Sequence, residues 1–418
     1  MKGKKYLVYF SLVAATLLSS CSNSDDIATY SPTFELKAPS SIGTTSFTWK
    51  SGNLSMTEIN TGNTTVVALP MAQIPTVTAG EYTITIEGEI EYNTDSFDDN
   101  GNPTSITTLS PVRGSKEGVT INNNGISLDI DLIVYNNNSS FVFSEIYVTG
   151  SLNVKGTSGI IGDKFFKIYN NSNKTQYADG IALLESVITT VDNFTYTPDF
   201  RNEGFASQVV YVIPGDGDDH PVEPGKYLLI ADQASNHNAT NGNALDMSES
   251  DFEWYDYTNK GTDTDNPQVE NLDRWYSYSA TIWTPSNQGN RSFAIAKIPV
   301  KKEDFLAEGS KYYHSDWEYV NSGVTKYKNG YLIPNSWVLD AVNLSPSTMF
   351  TKLATSVALD KSFVSISDTG SDVTRFGKSI IRKSAGQMKD EKGNTFTLLT
   401  DTDNSKNDFT IGNVSLKK

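Results

Sequence analysis

Alternating apolar and polar residues, interrupted at short intervals by turn-forming residues, run through most of this chain. Every second residue from Tyr82 to Ile86, and again from Ile126 to Val134, is apolar. A period of two is that of a strand with one buried and one wet face. Between these segments, the Asn-Gly pair at residues 100–101 suits a tight turn. The pattern therefore predicts an all-β protein.

The length of 418 residues allows two or three domains. We predict two antiparallel β-sandwich domains, residues 34–138 and residues 139–418, because each segment holds enough alternating runs for a sandwich. Helix is scarce. Residues 301–308 and 346–354 are predicted to form short helices, the second with Ser345 as its N-cap.

Composition excludes several classes of protein. A single Cys permits no intramolecular disulfide, and three His leave little for zinc sites or catalytic triads. The net charge of −16 has the wrong sign for binding phosphates. We therefore expect no nucleic-acid partner, no cofactor and no enzymatic activity.

The first 20 residues are predicted to be a signal peptide, with a basic start and a short apolar segment. Residues 18–21 resemble the lipobox of bacterial lipoproteins, in which Cys21 becomes the lipid-attached first residue. In the predicted acidic tether, residues 21–33, Asp25 and Asp26 resemble the export signal of Bacteroidetes surface lipoproteins. These likenesses imply attachment to the outer membrane, facing the cell exterior. The alternatives are an ordinary signal peptide and a merely solvated tether.

Longer resemblances support the two-sandwich prediction. Residues 80–86 resemble a late strand of prealbumin-like repeats. Residues 144–146, 168–170 and 224–229 follow the strand order of the lamin-tail domain, an immunoglobulin-like sandwich. Residues 379–383 and 401–409 resemble the end of such domains in a Bacteroidetes lipoprotein family, domain of unknown function 4876. No functional residue is transferred by these likenesses.

An aromatic insertion at about residues 233–290 interrupts the lamin-tail pattern. Exposed Trp and Tyr offer flat apolar faces that suit sugars, peptides or a partner protein. The candidate contact residues are Trp254, Tyr255, Tyr257, Trp275, Tyr276 and Tyr278. The alternative is a small satellite core. We expect exposure for Trp254, Tyr255 and Tyr257, which have polar neighbours, and burial for Trp275.

Two further segments carry weaker hypotheses. Asp216 and Asp218, in a glycine-rich loop, form a weak calcium candidate, and a solvated loop is the alternative. Residues 312–317 place one His among aromatic residues and could hold a ligand, although such a His is more often an ordinary loop residue.

These observations predict a lipid-anchored, non-catalytic binding protein. The family resemblance implies an accessory of a TonB-dependent outer-membrane transporter that takes up a peptide, a glycan or another nutrient. An adhesive or structural surface protein is the alternative, and a hydrolase is a remote one.

Overall fold

The computed structural model describes residues 28–134, 141–192 and 194–416. Its first part consists of short and long strands around one apolar core. These strands are β1 Thr29–Tyr30, β2 Thr33–Lys37, β3 Thr48–Glu58, β4 Thr64–Ala68, β5 Val77–Thr78, β6 Gly80–Phe97, β7 Pro103–Ile121, β8 Ser127–Asp131 and β9 Ile133–Val134.

The main sheet of this part has the strand order β4-β3-β6-β7-β9, and two smaller sheets pair β1 with β5 and β2 with β8. The predicted alternation is confirmed, because Tyr82, Ile84, Ile86, Leu128 and Ile130 are all buried. The apolar core of this part comprises buried residues between 42 and 134. The predicted boundary at residue 138 stays a prediction, since residues 135–140 lie outside the described ranges.

The remaining strands form the second part. They are β10 Phe141–Tyr147, β11 Phe165–Asn170, β12 Gln176–Tyr177, β13 Ile181–Thr189, β14 Tyr196–Thr197, β15 Gly204–Val212, β16 Pro221–Val222, β17 Tyr227–Ala231, β18 Phe252–Glu253, β19 Tyr257–Thr258, β20 Gly261–Thr262, β21 Glu270–Asn271, β22 Asp273–Ser277, β23 Arg291–Lys297, β24 Tyr313–Asn321, β25 Val324–Pro334, β26 Val338–Asn343, β27 Lys378–Arg382, β28 Ser384–Lys389, β29 Thr395–Leu399 and β30 Phe409–Asn413.

Among the residues that the structure describes, helix is limited to single turns. These are α1 Lys302–Phe305 and α2 Ser405–Asp408, with 3-10 turns at Ser40–Ile42, His237–Ala239, Asn335–Trp337 and Val373–Arg375. None of the helices within the described ranges is long and apolar enough to cross a membrane.

Two large sheets form the second part. One has the order β21-β18-β17-β11-β10-β27-β30, and the other has the order β14-β24-β25-β15-β13-β23-β26, with β22 paired to β15. Apolar side chains from both sheets form a shared core that includes Phe166, Tyr211 and Phe293. Strands β11 and β15 are central in their sheets and buried on both faces, as such positions require. The all-β fold is confirmed.

Most strand pairs are antiparallel, as predicted, whereas β2–β8 and β17–β18–β21 are parallel. Two predictions about local structure are wrong. The tether does not extend to residue 33, because β1 already pairs with β5. Residues 346–354 form no helix. The backbone amides of Thr351 and Lys352, which a helix would direct to the carbonyl oxygens of Ser347 and Thr348, both donate instead to the carbonyl oxygen of Thr190.

Candidate functional site

The structure tests few of the predictions about lipid attachment and metal binding. Cys21, Asp25 and Asp26 lie outside the described residues. Asp216 and Asp218 lie in an exposed loop between β15 and β16. In the part of the chain that the structure describes, no group of three or more His, Cys, Asp or Glu residues could hold a metal ion. The described residues therefore provide no set of ligands for a calcium ion at Asp216 and Asp218.

Trp254, a predicted contact residue, belongs to the core. Its side chain is 0% exposed, and its ring lies 5.0 Å from that of Trp283 and 5.8 Å from that of Phe166. The expected exposure is wrong, because the acidic neighbours Glu253 and Asp256 are themselves buried. A residue in this position cannot touch a partner.

The other five aromatic residues do not form one surface. Tyr257 is 73% exposed on the β19–β20 hairpin, as predicted, and Tyr278 is also exposed, whereas Tyr255 is half-buried. Trp275 is half-buried and packs against Phe305, with 5.3 Å between the ring centroids, in agreement with the core prediction. The Tyr276 ring lies 4.9 Å from that of Tyr331 on β25. The insertion is thus built into the two sheets.

A concave site lies elsewhere, between β24 and the segment that follows β14. We call it the His314 cleft, and its volume is about 330 Å³. It is lined by Thr197, Pro198, Phe200, Glu203, His314, Asp316, Trp317, Glu318, Tyr327 and Leu332.

A stack of three rings forms one wall of the His314 cleft. His314 stacks on Trp317 with ring centroids 4.9 Å apart, and Trp317 stacks on Phe200 at 4.5 Å. Residues three apart on a regular strand point to opposite faces. A register shift between His314 and Trp317 in the β24–β25 pair allows both rings to share one face. The irregularity of β24 therefore creates this wall.

The polar lining of the cleft is acidic. Glu203, Asp316 and Glu318 supply exposed carboxylates, and the lining contains no Lys or Arg. The Tyr327 hydroxyl donates to Glu318 Oε1 at 2.9 Å, and this hydrogen bond raises the pKa of Tyr327. His314 Nε2 is buried and has no hydrogen-bond partner among the described residues. The cleft thus offers several acceptors beside an aromatic surface.

The sequence identified three of the ten residues that line this site. Residues 312–317 were candidates for holding a ligand, and His314, Asp316 and Trp317 do line the cleft. Phe200 and Glu203 were missed, because their sequence neighbourhood has no distinctive pattern and only the fold brings them to β24. The signal that could have indicated the cleft is the alternation of acidic and aromatic residues from 316 to 319.

Comparison with known proteins gives two matches. Residues 223–416 match a family described as Protein of unknown function (DUF4876). This segment is a DUF4876 family domain. The fold of the chain is similar to a crystal structure of a DUF4876 family protein from Bacteroides thetaiotaomicron VPI-5482, with 21% sequence identity and a TM-score of 0.56. The similarity covers 91% of this chain and 94% of the other. Comparison with curated proteins gives no match.

The DUF4876 match covers only part of the second sandwich. It includes β17 but begins after β10, β11, β13 and β15, which complete the same two sheets. The His314 cleft likewise combines His314 and Trp317 from the DUF4876 domain with Phe200 and Glu203 from the preceding segment. At 21% identity the structural likeness establishes the fold alone, and the lamin-tail resemblance stays a prediction.

Proposed function

We propose that this protein is a non-catalytic binding protein and that the His314 cleft is its ligand site. The observation that carries the proposal is the combination of a concave surface, a wall of stacked rings and a few polar groups, which is typical of small-molecule sites. The buried and unpartnered Nε2 of His314 supports it, because buried polar atoms in folded proteins normally have partners.

The lining limits the chemistry of the ligand. Three carboxylates in a lining that contains no Lys or Arg attract hydrogen-bond donors and repel anions. The net charge of −16 has the same effect at longer range. The exposed ring of Tyr327 adds a flat apolar face. These properties favour a neutral or cationic ligand rich in donors, such as a glycan or the amino group of a peptide.

The location and the partner rest on the sequence. We propose attachment to the outer membrane through Cys21, with Asp25 and Asp26 directing export to the cell surface. We also propose that the protein serves a TonB-dependent transporter as an accessory that captures a nutrient. The family resemblance supports this role. Of the predicted contact residues, the exposed Tyr257 and Tyr278 stay candidates for contact with the partner.

A binding experiment tests the cleft. Glycan and peptide arrays screened with the full chain should identify a ligand, whose affinity is then measured by calorimetry. Changing Asp316 to Asn together with Glu318 to Gln should weaken binding at least about 10-fold, because two acceptors lose their charge. His314→Ala should have a comparable effect by removing the outer ring of the stack.

The matched control lies outside the cleft. Glu303→Gln with Asp304→Asn removes the same two charges from the exposed first turn of α1 and should leave affinity unchanged. Equal losses in both double variants would indicate a general charge effect and would contradict the cleft as the ligand site.

A further inference from the structure

Lys164, Asp232 and Trp254 lie in one row inside the second sandwich, each one residue beyond an end of the neighbouring strands β11, β17 and β18. The Asp232 amide donates to the Lys164 carbonyl oxygen at 2.9 Å, directly beside the Phe165–Ala231 pair of β11 and β17. Directly opposed residues of antiparallel strands project their side chains on the same face. The parallel register of β17 and β18 continues this row to Trp254.

The lysine and the aspartate are both enclosed. Lys164 is 2% exposed and Asp232 is 1% exposed. The next row on the same face contains Phe166, Ile230 and Phe252, which belong to the core shared by the two sheets. Free amino and carboxyl groups are rarely buried this deeply without direct partners.

Their polar atoms are poorly satisfied by hydrogen bonds. Neither carboxyl oxygen of Asp232 has a hydrogen-bond partner among the described residues, and neither has the indole nitrogen of Trp254. Lys164 Nζ donates to the carbonyl oxygen of Pro285 at 2.8 Å. Nζ is therefore directed at Pro285 and not hydrogen-bonded to Asp232, so bond formation requires the flexible lysine side chain to rotate toward Asp232.

Burial also favours the uncharged forms of both groups. It lowers the pKa of Lys164, although the charges of Asp232 and Glu185 oppose this effect. It raises the pKa of Asp232, with further contributions from Asp263 and Asp256, whereas Lys164 lowers it. An uncharged amine is the nucleophilic form of lysine, and a protonated acid is the form of aspartate that can lose its hydroxyl group.

We propose that Lys164 Nζ and Asp232 Cγ become joined by an amide bond after the chain folds. The lone pair of Nζ attacks Cγ, an Nζ–Cγ bond forms and one Cγ–O bond breaks. The departing oxygen carries the proton of the acid and takes one proton from Nζ, so it leaves as water. No electrons are gained or lost, and no co-reactant is required.

The product suits its surroundings better than the two free groups. The amide N–H can still donate to Pro285, and one acceptor oxygen replaces the two unpartnered carboxyl oxygens. The bond closes a covalent loop between residues 164 and 232. Such a loop constrains the unfolded chain in the way that a disulfide does. The single Cys of this chain allows no intramolecular disulfide.

A second lysine–carboxylate pair on the same strand provides an internal comparison. Lys167 of β11 faces Glu145 of β10, and Lys167 Nζ lies 2.6 Å from Glu145 Oε2. Ser379 Oγ also donates to Glu145 Oε1 at 2.6 Å, so the charged forms have partners. This pair should remain an ordinary ion pair.

Mass spectrometry of the full chain tests the proposal. The wild-type mass should be lower by one water than the mass calculated for the mature sequence with any lipid on Cys21 included, whereas Lys164→Gln and Asp232→Ala should each have the full calculated mass. Trypsin should release a branched peptide that joins residues 156–167 to residues 227–260, uncut after Lys164 and cut after Lys167.

The peptide map separates this bond from other modifications. Succinimide formation at another Asp gives the same mass loss but no branched peptide. A full wild-type mass, or a linear map with cleavage after Lys164, would overturn the proposal. The wild-type measurement is decisive by itself, so the conclusion stands even if a variant fails to fold.

Discussion

Individual carboxylates in this protein are buried where backbone amides are available to hold them. Glu253 accepts hydrogen bonds from the amide of Ala234 at 2.7 Å and from that of Asn266 at 2.6 Å. Asp256 accepts from the hydroxyl of Tyr211 at 2.7 Å. Such bonds offset the cost of removing a polar group from water. Acidic neighbours are therefore a poor sign of exposure in this part of the chain.

His220 is a residue whose charge should affect stability. Nδ1 lies 3.2 Å from Asp179 Oδ1, and Nε2 lies 3.1 Å from Glu270 Oε2. Burial lowers the pKa of His220, but the hydrogen bonds to Glu270 and Asp179 outweigh it, and the net pKa is raised. A raised folded-state pKa means that the imidazolium stabilises the fold. This stability is fully present below the unfolded pKa and is lost as pH rises through the folded pKa.

We predict that His220→Gln removes this pH dependence. Below about pH 6 the wild type should exceed the variant by less than about 1 kcal/mol in free energy of unfolding, because Glu270 is half-exposed and the pair is screened. The excess should shrink toward about pH 8. Urea unfolding of both proteins at the two pH values measures it, and an excess that grows with pH would contradict the assignment.

Among the strands, β27 is tied to its neighbours by a buried arginine. Arg382 is 4% exposed, and its Nε donates to the Phe143 carbonyl oxygen of β10 at 2.7 Å. Its guanidinium pairs with Asp340 of β26, and Nη1 lies 3.4 Å from Asp401 Oδ1 and 3.7 Å from Asp408 Oδ2. The single positive charge of Arg382 therefore lies close to three buried carboxylates.

Replacing Arg382 with Met should destabilise the protein by about 3–5 kcal/mol, because it leaves buried carboxylates without their cation. Chemical denaturation measures the change. Lys389→Met is the control, since Lys389 pairs with Glu117 at the exposed surface and should cost less than about 1 kcal/mol. A loss below about 1 kcal/mol for Arg382→Met would mean that the carboxylates are neutral or solvated.

The sequence predicts a strand and its buried face where the alternation of apolar and polar residues is sufficient to identify them. Leu128 and Ile130 are buried as expected, because a period of two requires no knowledge of distant residues. Trp254 and the His314 cleft were not predictable in this way. The burial of Trp254 depends on sheet pairing with β17, and the cleft needs Phe200, which is distant from His314 in the sequence. Contacts of long sequence separation carry no local signal.

Across the whole molecule, the β6–β7 hairpin connects the two parts. Phe97, at the end of β6, lies with its ring 4.4 Å from that of Phe350 and 5.6 Å from that of Phe363. Asp99 in the adjoining turn pairs with Arg201 at 3.1 Å. Gly101 has a φ of 81°, and a Cβ there would overlap the carbonyl oxygen of Thr351. The tip of the hairpin is thus fitted closely to the second part.

We predict that Phe97→Ala uncouples the unfolding of the two parts. Phe97 is half-buried, so the loss should be about 1.5–3 kcal/mol, below the 3–5 kcal/mol of a fully buried Phe. Most of the lost free energy should be interaction energy between the two parts, because the Phe97 ring contacts Phe350 and Phe363 of the second part. Calorimetry should show one transition for the wild type and two for the variant.

The matched control is Phe47→Ala. Phe47 is also half-buried, but its ring packs 5.8 Å from that of Trp49 inside the first part. This change should lower stability while leaving a single transition, because the hairpin contact with Phe350 remains. If Phe97→Ala also unfolds in a single transition, the parts are held together by other contacts, such as the buried hydrogen bond from Asn404 Nδ2 to Thr94 Oγ1 of β6.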